Sequence, residues 1–93
     1  MLDTARQTSI TITVRLFARY RETAGTSLWR GTVPPDSTVA DVWAACSAAL
    51  PGLAAARGLV AYSGWSVNGQ WARATTPLHD GDEVALLPPV SGG

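Results

Sequence analysis

One stretch of this sequence repeats its apolar residues with helical spacing, and it lies between stretches that alternate. Val39, Val42, Trp43, Cys46 and Leu50 fall at i, i+3, i+4, i+7 and i+11, a single stripe along one side of a helix. Thr38 followed three residues on by Asp41 resembles a capping box at its start, with Asp in place of the preferred Glu, and Pro51-Gly52 ends it. A lone stripe cannot bury itself, so a sheet must cover it.

The alternating runs supply that sheet. In residues 9–17, Ile10, Ile12, Val14 and Leu16 lie on one face and Thr11, Thr13, Arg15 and Phe17 on the other. A turn-rich stretch at 22–26, with Gly25, leads to a second strand at 27–33 that Pro34 and Pro35 stop, so the two runs read as a hairpin with a long loop. After the helix, residues 53–58 suggest a short extra turn. Residues 65–67 and 70–73 flank Asn68-Gly69, a type I′ hairpin signal, and Asp80-Gly81-Asp82 turns the chain into a last strand at 83–87. The order is strand, strand, helix, strand, strand, then a final strand able to lie beside the first. That order suggests an α+β β-grasp, with one main helix on one face of a mixed sheet. A ferredoxin-like order would require a second amphipathic helix, and no second stripe is visible. With 93 residues there is room for one core. The boundaries read as an N-terminal tail at 1–8, the domain at 9–87 and an extended C-terminal tail at 88–93.

Charge excludes several function classes. Seven cations, all Arg, balance seven acids, so no basic field exists to gather nucleic acid or anionic lipid. The absence of Lys removes any side-chain amine for Schiff-base chemistry or for building an isopeptide-linked chain on this protein. Cys46 is the only cysteine, which fits a reducing compartment. Residues 1–8 lack the apolar core of a signal peptide and no stretch approaches membrane-spanning length, so a soluble cytoplasmic protein is expected.

The side chains offer little chemistry. Cys46 sits on the apolar stripe without an adjacent His or Lys and reads as a small core residue. His79, beside Asp80-Gly81-Asp82, reads as a solvated turn residue, and the spacing of Asp80, Asp82 and Glu83 matches no oxygen-ligand loop, so no metal is expected. What remains is Pro88-Pro89-Val90-Ser91-Gly92-Gly93, directly after the last strand. A terminal carboxylate with a pKa near ~3.5 is inert at neutral pH until it is activated, for example by adenylation. Glycine lets a chain pass a narrow channel and leaves the attacked carbon uncrowded, while Pro88 and Pro89 hold the root extended.

These residues resemble the ubiquitin-like sulfur carriers of the MoaD/ThiS type, and within them the small subunit of molybdopterin synthase. The likeness rests on Val14-Arg15-Leu16-Phe17-Ala18-Arg19 with Arg21-Glu22 and Ala24-Gly25-Thr26, on Thr38-Val39-Ala40-Asp41, and on Val67-Asn68-Gly69. It continues through Pro77-Leu78, Asp80-Gly81-Asp82-Glu83-Val84 and the closing Gly92-Gly93. It implies an E1-like adenylating enzyme that uses ATP to activate Gly93, and a sulfur donor that converts the acyl-adenylate to a thiocarboxylate. It also implies a large synthase subunit that inserts the sulfur into a precursor pterin, the carrier acting as co-substrate and binding no cofactor itself. Residues 53–65 match the pattern poorly, and Trp71 stands where a smaller apolar residue is commoner.

Alternation turns Phe17 and Leu87 outward, and with Trp71, placed beside them by the resemblance, they would form an exposed apolar patch near the tail, suited to partner binding. Two other destinations share the same tail: sulfur for thiazole or cysteine synthesis, and conjugation of Gly93 to lysines of other proteins. A plain binding module with incidental glycines is a third possibility.

Overall fold

The computed structural model describes residues 8–89. The elements are β1 (Ile10–Leu16), α1 (Ala18–Ala24), β2 (Leu28–Val33), α2 (Val39–Ala49), a 3₁₀ stretch (Pro51–Tyr62), β3 (Gly64–Val67), β4 (Gln70–Ala72) and β5 (Glu83–Leu87). The five strands form one mixed sheet in the order β2-β1-β5-β3-β4. β1 runs antiparallel to β2 and parallel to β5, which is antiparallel to β3. The final strand therefore lies beside the first, and the architecture is the expected α+β β-grasp.

Alternation decides the core. Ile10, Ile12, Val14 and Leu16 are buried, as are Val84 and Leu86 of β5, and α2 closes over them with Val39, Val42 and Cys46. Trp43 and Leu50, the other members of the stripe, are partly buried against the same cluster. The capping box forms with both arms in place: Thr38 Oγ1 accepts from Asp41 N at 3.4 Å, and Thr38 N donates to Asp41 Oδ2 at 2.9 Å. These satisfy two donors that a helix start would otherwise leave open. Asn68 and Gly69 both take positive φ, 52° and 83°, as a type I′ turn requires.

Two segments differ from expectation. The loop between the first two strands contains α1, two turns ended by Gly25 at φ 79°. It buries Tyr20 alone, so no periodic stripe announces it. The short turn expected at 53–58 is a 3₁₀ stretch twice as long, which buries Leu53 and Ala56, three residues apart as 3₁₀ geometry places them on one side. Neither segment alters the sheet order. Tyr20 is the largest fully buried side chain, and its ring meets Trp43 edge-on at 5.6 Å. Its hydroxyl lies 2.6 Å from Ser63 Oγ. Since Ser63 gives its own proton to the Leu59 carbonyl at 2.8 Å, Tyr20 is the donor.

Candidate functional site

Side-chain chemistry is excluded first at Cys46. It is fully buried, and burial pushes its thiol up to about 12, so at neutral pH it is neither a thiolate nor accessible. His79 is solvated, with its side chain 84% exposed and its Nδ1 3.9 Å from Asp82 Oδ2. Asp82 is engaged in structure: Oδ1 accepts from Asn68 Nδ2 and Oδ2 from His79 N, both at 2.9 Å, while Asn68 Oδ1 accepts from Glu83 N at 2.9 Å. These bonds tie the β3–β4 turn to the start of β5. A cavity of about 400 Å³ opens beside them, lined in part by Trp71, Thr76, Pro77 and His79, with no nucleophile and base brought together in it. Among the described residues no group of three or more His, Cys, Asp or Glu could hold a metal ion.

The sheet face opposite α2 carries a different pattern. Its lower half is polar: Thr11, Thr13, Arg30 and Thr32, with Arg15 Nε paired to Glu83 Oε2 at 2.9 Å. Its upper end is apolar. Leu16 is level with Leu86 across β1 and β5, both pointing inward, so the next residues, Phe17 and Leu87, leave the ladder side by side and point outward. Phe17 holds extended backbone at φ −122° and ψ 153° although α1 begins immediately after it, which keeps the alternation intact. On the other side of Leu87 stands Gly64, its partner in β3. Trp71, paired with Ser66 on this outer face, reaches across to Gly64 with its ring.

The structure thus brings Phe17, Leu87 and Trp71 to one end of one face, and adds Leu28, the neighbour of Arg15 in β2. Phe17 is 40%, Leu28 44% and Trp71 77% exposed. Together these side chains make this end of the outer face apolar and solvent-facing. Leu28 was within reach of the sequence: β2 alternates, and Trp29 and Val33 inward require Leu28 outward.

β5 runs straight out of this end into Pro88, half-buried, and Pro89, exposed. Val90, Ser91, Gly92 and Gly93, on which the carboxylate chemistry is expected to rest, lie outside the described residues, as do residues 1–7. No helix among the described residues is long and apolar enough to cross a membrane.

Comparison with known proteins adds three likenesses and a family. The model of the ThiS family matches residues 14–93. SAMP1 from Haloferax volcanii, a small archaeal modifier protein, superposes with a TM-score of 0.80 at 33% identity, over 89% of this chain and 99% of that one. A Pyrococcus furiosus chain provisionally described as molybdopterin converting factor subunit 1 gives 0.73 at 26% identity, over 87% and 99%. Helicobacter pylori 26695 supplies a complex of subunits 1 and 2 of molybdopterin-converting factor, matched at 0.59 and 26% identity over 90% and 100%.

Proposed function

Because the chain belongs to the ThiS family, we propose that it is a sulfur carrier whose C-terminal Gly93 carboxylate is adenylated, converted to a thiocarboxylate, and used to sulfurate a precursor pterin in molybdopterin synthesis. The observation that carries this reading is the apolar end of the outer sheet face, set where β5 leaves the sheet toward Gly93. A partner that seats on Phe17, Leu28, Leu87 and Trp71 is thereby positioned to receive the tail, and burial of those side chains supplies binding free energy.

The chemistry runs through the tail. The Gly93 carboxylate attacks the α-phosphorus of ATP within an E1-like enzyme and displaces pyrophosphate. Sulfide delivered by the donor then attacks the acyl carbon, AMP leaves, and loss of a proton gives the thiocarboxylate. Within a synthase whose large subunit holds the pterin, the thiocarboxylate sulfur attacks a precursor carbon and displaces an oxygen leaving group; water then hydrolyses the thioester, so that sulfur stays on the pterin and Gly93 returns as the carboxylate. A large-subunit partner is supported by the Helicobacter complex of two converting-factor subunits. We place these steps in the cytoplasm, where ATP is at hand.

A second reading has its own support. The Haloferax modifier superposes more closely, and at higher identity, than the converting-factor chains. In that reading the acyl-adenylate ends on an amine of another protein. One experiment separates the two. Incubation with a cognate activating enzyme, ATP and sulfide, followed by intact mass measurement, should show one oxygen of Gly93 replaced by sulfur, and addition of large subunit and precursor should consume that sulfur. Amide-linked adducts to other proteins without sulfur consumption would establish the modifier, and no change at Gly93 would overturn both.

A further inference from the structure

The sheet has two edges, β2 and β4, and β2 is the longer at six residues. Its ladder to β1 is fixed by Leu16 N donating to Ser27 O at 2.9 Å. On its other side β1 turns Thr13 N to Asp82 O at 3.1 Å and Thr11 O to Gly81 N at 2.8 Å, so odd-numbered residues of β1 face β5 and even-numbered ones face β2. Antiparallel alternation then commits the backbone groups of Ser27, Trp29, Gly31 and Val33 to β1 and turns those of Leu28, Arg30 and Thr32 to the open edge.

That edge is closed at both ends. Leu28 N donates to Thr26 Oγ1 at 3.3 Å, and Thr26 Oγ1 donates to Leu28 O at 3.1 Å. At the far end Pro34 has no N–H. Between them Arg30 and Thr32 present two donors and two acceptors with no partner among the described residues, spaced as one face of an extended strand requires. Both residues are exposed. Arg30 also has no acidic partner among the described residues, whereas Arg15 pairs with Glu83 and Arg19 with Glu22. On the helix side Trp29 lies over Gly31, leaving an aromatic wall along the edge.

We propose that the β2 edge binds an extended peptide segment of a partner protein as an added strand, hydrogen-bonded to Arg30 and Thr32. The segment alternates acidic side chains facing Arg30 with apolar ones facing Trp29. A second copy of this chain fits less well. Two-fold pairing about Gly31 would set Arg30 opposite Thr32 of the other copy and leave the two Arg30 side chains diagonal on one face, where like charges repel. An acidic strand turns the same charge into attraction. The surface is independent of the fate of Gly93.

The probe is acetyl-Val-Asp-Val-Glu-Val-Asp-Val-amide, titrated into the full ¹⁵N-labelled chain. Shifts should centre on the Arg30 and Thr32 amides, and exchange of those two amide protons should slow. Arg30→Glu should weaken the probe on the order of tenfold and favour a peptide with Lys in the acidic positions. A probe N-methylated at alternate residues, which leaves the protein untouched, should bind in one methylation phase and fail in the other. Shifts centred on Phe17, Leu87 and Trp71, equal binding by Arg30→Glu, indifference to methylation, or no binding at millimolar peptide would each overturn the proposal. Concentration-dependent protection of the Arg30 amide without peptide would overturn it in favour of a second copy.

Discussion

Trp71 occupies the space that a side chain at Gly64 would need: a Cβ at position 64 would stand 2.8 Å from Trp71 Cζ3. The indole is otherwise mostly solvated, so it is the ring and not the strand that gives way. Gly64→Ala should therefore shift the Trp71 indole N–H resonance and weaken partner binding. The melting temperature should hold or rise slightly, since Ala in a strand costs less backbone entropy than Gly. Calorimetry and a binding titration on the same variant check both halves.

Changing Phe17, Trp71 or Leu87 to Asp should weaken binding of the large subunit at least about tenfold, because each buried apolar side chain contributes roughly 1.5–3 kcal/mol before ordering costs offset part of it. Leu28→Asp belongs with them. Phe17 and Trp71 variants should keep near-native melting temperatures, whereas Leu87→Asp, half-buried in β5, should lose more. Wild-type affinity in all four folded variants would place the interface elsewhere.

Cys46→Ala should leave sulfur loading intact, and Cys46→Ser should be the less stable of the two, since an unpaired buried hydroxyl costs about 1–3 kcal/mol. Loss of loading in a folded Cys46→Ala protein would make the cysteine a sulfur carrier after all.

Alkaline stability follows from the same residue. Its ordinary pKa is 9.0 and burial raises it to about 12 in the folded chain. Above pH 9 the unfolded thiol releases its proton while the folded one keeps it, so this contribution to stability is intact below pH 9 and is lost progressively as the pH rises toward 12. Tyr20, raised from 10.0 by burial, acts in the same direction. Urea titrations at stepped pH should show a shallower decline for Cys46→Ala, with the Tyr20 contribution remaining.

Deleting Gly93, or adding one residue after it, should abolish activation without moving the melting temperature, because the ladder of β5 ends at Leu87. A sharp fall in melting temperature would mean that the tail packs on the domain. Activity surviving the added residue would favour a plain binding module.

The sheet and α2 were legible because each repeats its apolar residues with one period: two for Ile10 to Leu16, 3.6 for Val39 to Leu50. The outward turn of Phe17 and Leu87 followed from the same alternation. α1 was hidden because Tyr20 alone is buried from it, and one residue has no period. The 3₁₀ stretch was hidden because its contact is made by Leu53 and Ala56 at a spacing of three, flanked by Gly52 and Gly58. Gly52 itself passes so close to the Thr23 carbonyl that a side chain has no room, a contact between segments far apart in sequence. The reach of Trp71 to Gly64 depends on strand pairing that no local pattern encodes.

The position of β5 also has a mechanical consequence. A partner that grips the outer face while drawing the tail into its own channel pulls along β5, between a parallel neighbour on one side and an antiparallel one on the other. The load runs along the strand and across both sets of hydrogen bonds, so it is shared among them and cannot peel them apart singly. The domain is thus built as an anchor, able to hold its shape while its end is under tension.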